Sequence, residues 1–384
     1  MPAARSLVSP DDQRVTFVEL FFDLVFVFAV TQVVQVFHHH PGWGGVGQAV
    51  LVFWLVWWAW TQFTWALNAA DTTHHLVELV TLAATAIAFF MAASLPGAFQ
   101  DRGLWFAIPY VAVRGLGLLL YGEVAYAADP RQHAAVRTFT LASLAGLAAV
   151  LAGAAIGGAW QYACWGGAIL LDVVAALIGG RQEGWNLHPD HFVERHALFV
   201  IIALGESLIV AAGGVTAGDW TLRLLGVAVL SVGVTCALWW TYFSRWRARL
   251  EHALASHAGS AQSSMARDVF SLTHFPMLCG IIGWAAAVEE ALAHPAAPLP
   301  LPWRLALAGG LALFLGSMVA AIRRAEGRWL HTRAIVTAGT AGLLIATPGP
   351  AAASLGIALA GAAAIAALEH QLPAPQPHAA SPPP

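Results

Sequence analysis

The feature that most constrains this chain of 384 residues is a series of apolar segments, each about 20 residues long, that recur along most of its length. About 20 consecutive apolar residues form a helix long enough to cross a hydrocarbon core of about 30 Å. Only 10% of the residues are charged, whereas a soluble domain carries about 25%. The chain is therefore predicted to be an all-α protein, a polytopic bundle of transmembrane helices.

Twelve such segments can be counted. Their approximate ranges are 16–37, 46–66, 76–99, 104–127, 136–157, 160–180, 192–213, 221–243, 270–291, 303–323, 332–347 and 351–369. The last two are short and rich in Ala and Gly. They are followed by a Pro-rich tail over residues 370–384, whose composition predicts disorder.

Arginine residues are distributed unequally between the two sides of the predicted bundle. With twelve crossings, 14 arginines fall on the side that holds both termini, and Arg102, Arg223 and Arg304 fall on the other. Cytoplasmic loops carry the excess of basic residues. We therefore expect both termini in the cytoplasm, beginning with a cytoplasmic segment over residues 1–13.

An internal repeat is visible in two short alignments. Residues 17–32, FVELFFDLVFVFAVTQ, align without gaps with residues 192–207, FVERHALFVIIALGES, a shift of 175. Residues 60–64, WTQFT, align with residues 240–244, WTYFS, a shift of 180. The agreement of these shifts predicts a six-helix unit duplicated in tandem.

The predicted repeats cover residues 14–180 and 181–369. Because six crossings return the chain to the side on which it started, both copies enter the membrane in the same orientation. Transporters with such parallel repeats relate the two copies by an axis along the membrane normal.

Two acidic residues, Glu19 and Asp23, lie four residues apart in the first apolar segment. Side chains at i and i+4 share one face of a helix, and like charges placed there repel each other. At 1.5 Å per residue, Asp23 is expected about 10 Å inside the membrane boundary. A charge at the bilayer centre costs about 2.5–3.5 kcal/mol on insertion scales. Asp23 therefore requires a counter-ion, a bound cation or a shared proton, whereas Glu19 also fits an interfacial position.

The second repeat carries its own acids, Glu194 near the start of the segment and Glu206 near the bilayer centre. Arg114 is the arginine placed well inside a predicted segment. It is the expected counter-ion of Asp23 or Glu206, because an unpaired buried arginine is costly.

We predict a polar cavity between the repeats. Its candidate binding or transport residues are Glu19, Asp23, Arg114, Glu194, Glu206, Ser207 and His274. Several other acids lie nearer the predicted ends of segments and are expected at the interface; these are Glu78, Glu123, Asp172, Glu289 and Glu290.

Other chemistries have little support in the sequence. A net charge of −3 argues against nucleic-acid binding, which requires basic patches. Histidines occur at residues 38–40, 74–75 and 188–196, but without the Cys or HExxH patterns that typically accompany them in zinc sites. No nucleophile elbow or catalytic dyad appears. We therefore predict a protein that is not an enzyme, with no metal ion and no cofactor.

Two segments closely resemble the bacterial low temperature requirement protein A family: RVTFVELFFDLVFVFAVTQ (14–32) and HFVERHALFVIIALGESLI (191–209). THFPMLCGIIGWAAAVEEAL (273–292) resembles a third block of that family, and PYVAVR, ending at Arg114, resembles its fourth helix. The resemblance spans about residues 14–345. It implies a polytopic protein of the bacterial inner (plasma) membrane, linked by name to growth in the cold, and supplies no catalytic residues.

The first functional hypothesis is that the chain moves an ion or small solute through the polar cavity between the repeats. Its predicted partners are the lipid bilayer and that solute, with a homo-oligomer left open. A second hypothesis is a non-transporting scaffold or sensor in which the buried charges only pair helices.

Two lower-ranked alternatives are a potassium-channel-like pore and a membrane-embedded lipid enzyme. FFDLVFVFAVTQ (21–32), preceded by Arg14, resembles the first pore helix of a lysosomal and bacterial potassium channel family, which has Ser at the position of Phe22. The enzyme would use the histidines of residues 188–196.

Overall fold

The structure is a computed structural model that describes residues 6–10, 13–128, 130, 133–179, 187–217 and 220–370. Within them the chain is helical, and its β-pairing is limited to two isolated bridges, Val8–Ala70 and Pro298–Pro350. The α-helices of this described part are α1 (Phe17–His39), α2 (Trp43–Ala69), α3 (His75–Ser94), α4 (Gly103–Ala128), α5 (His133–Ile156), α6 (Gly158–Gly179), α7 (Pro189–Ala217), α8 (Leu222–Phe243), α9 (Trp246–Ala255), α10 (Gly259–Met265), α11 (His274–Ala293), α12 (Leu301–Glu326), α13 (His331–Ala346) and α14 (Ala351–His370). The all-α prediction is confirmed.

Eleven helical segments of the described chain are long and apolar enough to cross a membrane. Each of the twelve predicted segments is occupied by one of the long helices α1–α8 and α11–α14. The exception in length is α13, whose 16 residues rise only about 24 Å at 1.5 Å per residue. The helical bundle is therefore confirmed in the described residues, with eleven helical segments that are candidate spans by length and composition and a further helix, α13, that is shorter than a bilayer is thick.

Two groups of contacts define the two ends of the bundle. At one end, Arg249 pairs with Glu326, and Arg324 Nε lies 2.7 Å from Asp268 Oδ2. At the other end, Gln35 Nε2 donates to Glu289 at 3.2 Å. The arginine-rich segments after α8 and α12 thus share one end, as the arginine distribution predicts. The tail beyond residue 370 and most of residues 1–13 lie outside the described residues.

The central helices are α1, α2, α7 and α11, which pack against one another. Of the candidate spans, those containing α2 and α11 have the largest buried shares, whereas α5 and α6 have the smallest. Large apolar side chains such as Leu141, Leu144 and Leu170 are exposed on those outer helices, which is the pattern expected of lipid-facing surfaces.

Close helix packing within the second half depends on glycine. A Cβ atom added at Gly280 of α11 would lie 2.5 Å from the carbonyl oxygen of Gly310 in α12. Small residues allow membrane helices to approach closely and gain packing contacts. The α11–α12 contact is therefore specified by the absence of side chains at these positions.

A π-helix over Ala266–Leu272 joins α10 to α11. The Thr273 hydroxyl donates to the carbonyl oxygen of Asp268 at 2.6 Å, five residues back. Short π-helical stretches often occur at functional sites, and this one leads directly to His274. It lies against α2, because Trp57 Nε1 donates to the Ser271 carbonyl at 2.7 Å.

Candidate functional site

The site begins at the first turn of α1. Glu19 is the third helical residue, and its carboxylate accepts hydrogen bonds from the Thr16 backbone N–H and hydroxyl, both at 2.9 Å. A Thr followed three residues later by Glu is the sequence signature of a capping box. Glu19 is nevertheless fully buried, so its carboxylate also faces the protein interior.

Asp23, one turn further along α1, is also fully buried. Its Oδ1 atom accepts a hydrogen bond from Trp60 Nε1 of α2 at 2.7 Å and pairs with Arg195 of α7. Its Oδ2 atom is buried without a hydrogen-bond partner. An ionised carboxylate with one empty oxygen is costly to bury, which makes Asp23 the unusual group of the site.

Arg195 bridges the two acids. Its Nη1 atom lies 3.3 Å from Glu19 Oε1, and its Nη2 atom pairs with Asp23. The guanidinium carbon also lies 5.6 Å from the centre of the Trp60 ring, a favourable position for a cation. One arginine from the second half of the chain thus serves two carboxylates from the first half.

His191, one turn before Arg195 on α7, is the fourth member. Its Nε2 atom lies 3.0 Å from Glu19 Oε1, and its Nδ1 atom lies 3.0 Å from Asn68 Nδ2. The orientation of the Asn68 amide is fixed because Oδ1 accepts from the His188 backbone N–H at 2.9 Å and Nδ2 donates to the His188 carbonyl at 3.0 Å. Asn68 therefore presents a donor to Nδ1, an arrangement that matches a ring whose one proton is on Nε2. We call Glu19, Asp23, His191 and Arg195 the carboxylate cluster.

The cluster is covered by aromatic rings and two further histidines. His196 contacts the ring of Trp60 with centroids 5.0 Å apart and that of His274 at 5.4 Å. His274 Nδ1 donates to the carbonyl oxygen of Val269 at 2.9 Å, and its Nε2 accepts from the Tyr242 hydroxyl at 2.9 Å. His274 is thus a fully hydrogen-bonded buried group next to the cluster and is not one of its ion-pairing members.

Arg114 does not pair with Asp23 or Glu206, so the predicted counter-ion is wrong. Its Nη2 and Nη1 atoms lie 3.0 and 3.3 Å from the two carboxylate oxygens of Asp172 on α6. It also donates to the Tyr110 hydroxyl at 2.9 Å and to Ser143 Oγ at 3.3 Å. Asp172 is buried in this pair and does not lie at the interface, because α6 turns that side chain toward α4.

The three remaining candidates of the second half, all on α7, face different neighbouring helices. Glu206 is almost completely buried and lies close to the Thr31 hydroxyl of α1. Ser207 faces α8 instead, with its Oγ atom 3.0 Å from Thr235 Oγ1. Glu194 is half-buried and lies near Glu251 of α9. Glu206 is therefore on the same α1–α7 contact as the cluster, about three turns from it, whereas Glu194 and Ser207 are not.

Sequence reasoning did not place Arg195 or His191 beside the two acids, and His191 enters it only among the histidines of the enzyme alternative. A signal for both was present: in HPDHFVERHALF they stand four residues apart, so they share one face of α7, as Glu19 and Asp23 do on α1. Arg195 lies close to a predicted loop and is one of the 14 arginines counted on the side that holds both termini. Among the described residues, no group of three or more His, Cys, Asp or Glu side chains is arranged to hold a metal ion.

These features define a class of protein: a polytopic helical membrane protein with a buried ion cluster that joins helices from its two halves. Within that class the chain belongs to a known family, because the model of the family described as bacterial low temperature requirement A protein (LtrA) matches residues 14–368. The resemblance drawn from residues 14–32 and 191–209 is thereby confirmed, and the family indicates a bacterial membrane.

One curated relative is an uncharacterized protein of Rhizobium meliloti (strain 1021), RA0937. It is 30% identical over 314 residues, which cover 79% of this chain and 76% of that protein. No solved structure matches the chain.

Proposed function

We propose that this protein is a proton-coupled transporter of a small solute and that the carboxylate cluster carries the coupled proton. The observation that carries the proposal is the charge count of the cluster. Glu19 and Asp23 contribute two negative charges, Arg195 contributes one positive charge, and His191 is neutral in the hydrogen-bond pattern set by Asn68. A fully buried cluster with one net negative charge is unstable without a proton or another cation.

The proton belongs on Asp23. Glu19 accepts hydrogen bonds from Thr16, Arg195 and His191, all of which stabilise its ionised form. Asp23 leaves Oδ2 without any donor, so protonation of that oxygen removes the excess charge and breaks no existing hydrogen bond. Asp23 is then the group that exchanges a proton when water reaches the cluster.

The location of the cluster is suited to coupling. Arg195 and His191 lie on α7, whereas Glu19 and Asp23 lie on α1, so any relative movement of the two halves changes the separation of the charges. Proton binding neutralises Asp23 and weakens its electrostatic attraction to Arg195, while proton release strengthens that attraction. Buried acids of this kind are commonly found in proton relays of transporters.

The contacts between α1 and α7 support the predicted repeat. Glu19 lies against Arg195 and Thr31 lies close to Glu206, so the two helices run in the same direction. The shift of 175 that aligns the repeats brings Thr31 onto Glu206, since 31 plus 175 is 206. Contact between equivalent positions is the arrangement expected near an axis along the membrane normal.

Helix packing in the two halves follows a common order. In the first half the pairs are α1–α2, α1–α3, α3–α4, α4–α5 and α5–α6, and in the second half they are α7–α8, α7–α11, α11–α12, α12–α13 and α13–α14. The halves differ in that α2 packs mainly on α4, whereas α8 packs mainly on α14. This order supports two six-helix units, with α9, α10 and the π-helix as an insertion into the second. Cytoplasmic termini, as the arginine distribution predicts, complete the proposal.

The test is proton movement in liposomes loaded with a pH-sensitive dye and containing the purified protein. A panel of inorganic ions, amino acids and poorly permeant small carboxylates is added outside, and the internal pH is followed. We expect at least one solute to move protons, and we expect Asp23→Asn to abolish that movement. The matched control is Glu194→Gln, an equally conservative change on α7 outside the cluster, which should retain it.

The competing hypothesis is a scaffold or sensor in which the charges only pair helices. It gains support from Arg114–Asp172 and Arg333–Glu369, which are buried pairs with matched charges. If no solute in the panel moves protons with the wild-type protein, or if Asp23→Asn leaves the movement intact, the transport proposal is wrong and the scaffold hypothesis takes its place.

A further inference from the structure

A cavity of about 640 Å³ lies between α1 and α2 of the first half and α11, α12 and α13 of the second half. Its lining consists of apolar side chains, glycines and one cysteine, Cys279. Three of the lining residues, Val50, Leu305 and Leu313, are also exposed on the outside of the bundle. Because apolar side chains exposed on a membrane protein face lipid, the cavity opens toward the bilayer.

The cavity is a slot that begins at one end of the bundle and extends toward the middle of the helices. Along α12 its lining extends from Leu301, the first residue of the helix, to Leu313. Along α2 it extends from Trp43, again the first residue, to Phe53. At 1.5 Å per residue these stretches are about 18 and 15 Å long. Half of a hydrocarbon core of about 30 Å is one leaflet, so the slot has the length of one leaflet.

The space in the slot is not used for helix packing. A Cβ atom added at Gly310 of α12 would lie 2.7 Å from the carbonyl oxygen of Gly280, whereas one added at Gly309 would meet no atom within 4 Å. Gly310 therefore allows the contact between α11 and α12, and Gly309 faces open space. Side chains beside an empty space lose dispersion contacts, which an apolar occupant would restore.

Tryptophan side chains place the rim of the slot at the membrane interface. Trp43 is 86% exposed at the start of α2. Trp303, near the start of α12, packs against Phe37 and His38 at the end of α1. Tryptophan is enriched at the level of the lipid headgroups. A lipid with a chain in the slot would thus have its headgroup at this rim.

Arg304 provides a positive charge at the rim. Its Nη1 atom donates to the carbonyl oxygen of Ile345 at 2.7 Å, and Ile345 itself lines the slot. The described part of the chain gives Arg304 no carboxylate partner, whereas Arg249, Arg324 and Arg333 each pair with one. Guanidinium groups bind phosphate oxygens strongly, so an anionic headgroup would balance the charge of Arg304.

We propose that the slot binds one phospholipid of the bilayer, with an acyl chain between the helices and the phosphate group on Arg304. The apolar lining and the length of one leaflet match the chain, and the cationic rim matches the phosphate. A polar solute would lose its hydration in such a lining without compensation. Because helices of both halves line the slot, the bound lipid contacts both halves. The inference does not depend on the carboxylate cluster or on proton coupling.

The test is native mass spectrometry of the intact protein, freed of lipid in detergent and titrated with dimyristoyl phosphatidylglycerol. We expect one lipid to bind at least about tenfold more tightly than any further lipid. Gly309→Leu should abolish this first binding event, because leucine fills the slot. Arg304→Gln should weaken it at least about tenfold. Dimyristoylglycerol, which has the same chains and no phosphate, should bind to the wild type at least about tenfold less well.

Gly316→Leu is the matched control. Gly316 lies on the same helix beyond the lining, and a Cβ atom added there also meets no atom within 4 Å, so this variant should bind the lipid as the wild type does. Thermal unfolding checks the folding of each variant. If Gly309→Leu does not fold, Ala312→Leu, a smaller addition at another lining position, replaces it.

The proposal is wrong if no single lipid binds more tightly than the others, or if the slot-filling variant and Gly316→Leu bind it equally. Equal binding of dimyristoylglycerol and the phospholipid to the wild type would also overturn it, because Arg304 would then not recognise the phosphate. This comparison needs no variant and therefore does not depend on the contact between Arg304 and α13.

Discussion

The Arg114–Asp172 pair and the carboxylate cluster are buried groups of charges that look alike in composition but differ in balance. The Arg114–Asp172 pair joins one arginine to one carboxylate through two hydrogen bonds, and the remaining partners, Tyr110 and Ser143, are neutral. The carboxylate cluster has two acids for one arginine. Both are buried to a similar degree, so burial alone does not distinguish a structural pair from a group that exchanges protons.

The difference lies in what each group does when one charge is removed. Among the described residues, the Arg114 guanidinium contacts one carboxylate, whereas that of Arg195 contacts two. Removal of one acid from the cluster leaves the arginine paired, while removal of Asp172 leaves Arg114 alone. The first arrangement tolerates a change of charge during function, and the second is suited to hold α4 and α6 together.

The largest expected effect is that of Asp172→Asn. Asparagine has nearly the same shape but leaves the Arg114 guanidinium without a counter-charge in the interior, and arginine does not give up its proton. We expect the free energy of unfolding to fall by about 3–5 kcal/mol. Thermal or denaturant unfolding of the purified protein in detergent measures it.

A double variant provides the control for this prediction. Replacing a buried ion pair by apolar residues of similar volume is often neutral, so Arg114→Met combined with Asp172→Leu should recover most of the lost stability. If Asp172→Asn unfolds no more easily than the wild type, the contrast between the two groups of charges is wrong.

A smaller effect is expected for Glu19→Gln. The change removes the charge that Thr16, His191 and Arg195 all contact, and Asp23, which is protonated in our proposal, would then release its proton and become the counter-ion of Arg195. A hydrogen bond to a charged group contributes about 1.5–3 kcal/mol, and we expect a loss of stability in that range by the same unfolding measurement. A loss as large as that of Asp172→Asn would mean that Asp23 cannot replace Glu19 as the counter-ion.

The fold was predictable from the sequence because membrane thickness sets the length of each helix. Each predicted segment holds a long helix. The helix over residues 331–346 is too short to span the membrane, and the apolar run in the sequence is short there as well. The π-helix at Ala266–Leu272 could not be predicted from the sequence. The wider turn of a π-helix does not change the pattern of apolar residues in a way that distinguishes it from an α-helix.

The sequence predicted the two acids of the carboxylate cluster but not their partners. Glu19 and Asp23 stood out because they share one face of α1 and lie within an apolar segment. Their partner was assigned incorrectly, since depth along a helix says nothing about which neighbour a side chain faces. Arg114 lies well inside a predicted segment and Arg195 lies near the start of one, and only the packing of α7 on α1 and the contact of Arg114 with Asp172 show which arginine faces Asp23. Asp172 was placed at the interface for the same reason.

A change of about 1 kcal/mol is expected for Trp60→Phe. The variant keeps an aromatic ring over Arg195 but removes the indole N–H that donates to Asp23 Oδ1 at 2.7 Å. A hydrogen bond to a neutral acid contributes about 0.5–1.5 kcal/mol, and one to an ionised acid contributes more, about 1.5–3 kcal/mol. The size of the loss in denaturant unfolding therefore reports the charge of Asp23. Trp57→Phe, which loses a bond to the Ser271 carbonyl instead, provides the comparison.

The smallest effect on stability is expected for Asp23→Asn, and it decides the nature of the cluster. A protonated aspartic acid and asparagine have nearly the same shape and the same lack of charge. The side-chain carbonyl of asparagine still accepts from Trp60 and Arg195, and its amide replaces the protonated Oδ2. We therefore expect the free energy of unfolding to change by less than about 1 kcal/mol, although proton movement in liposomes is lost. A loss of 3 kcal/mol or more would show that Asp23 is ionised in the folded protein, in which case the cluster resembles Arg114–Asp172 and its role is to hold α1 against α7.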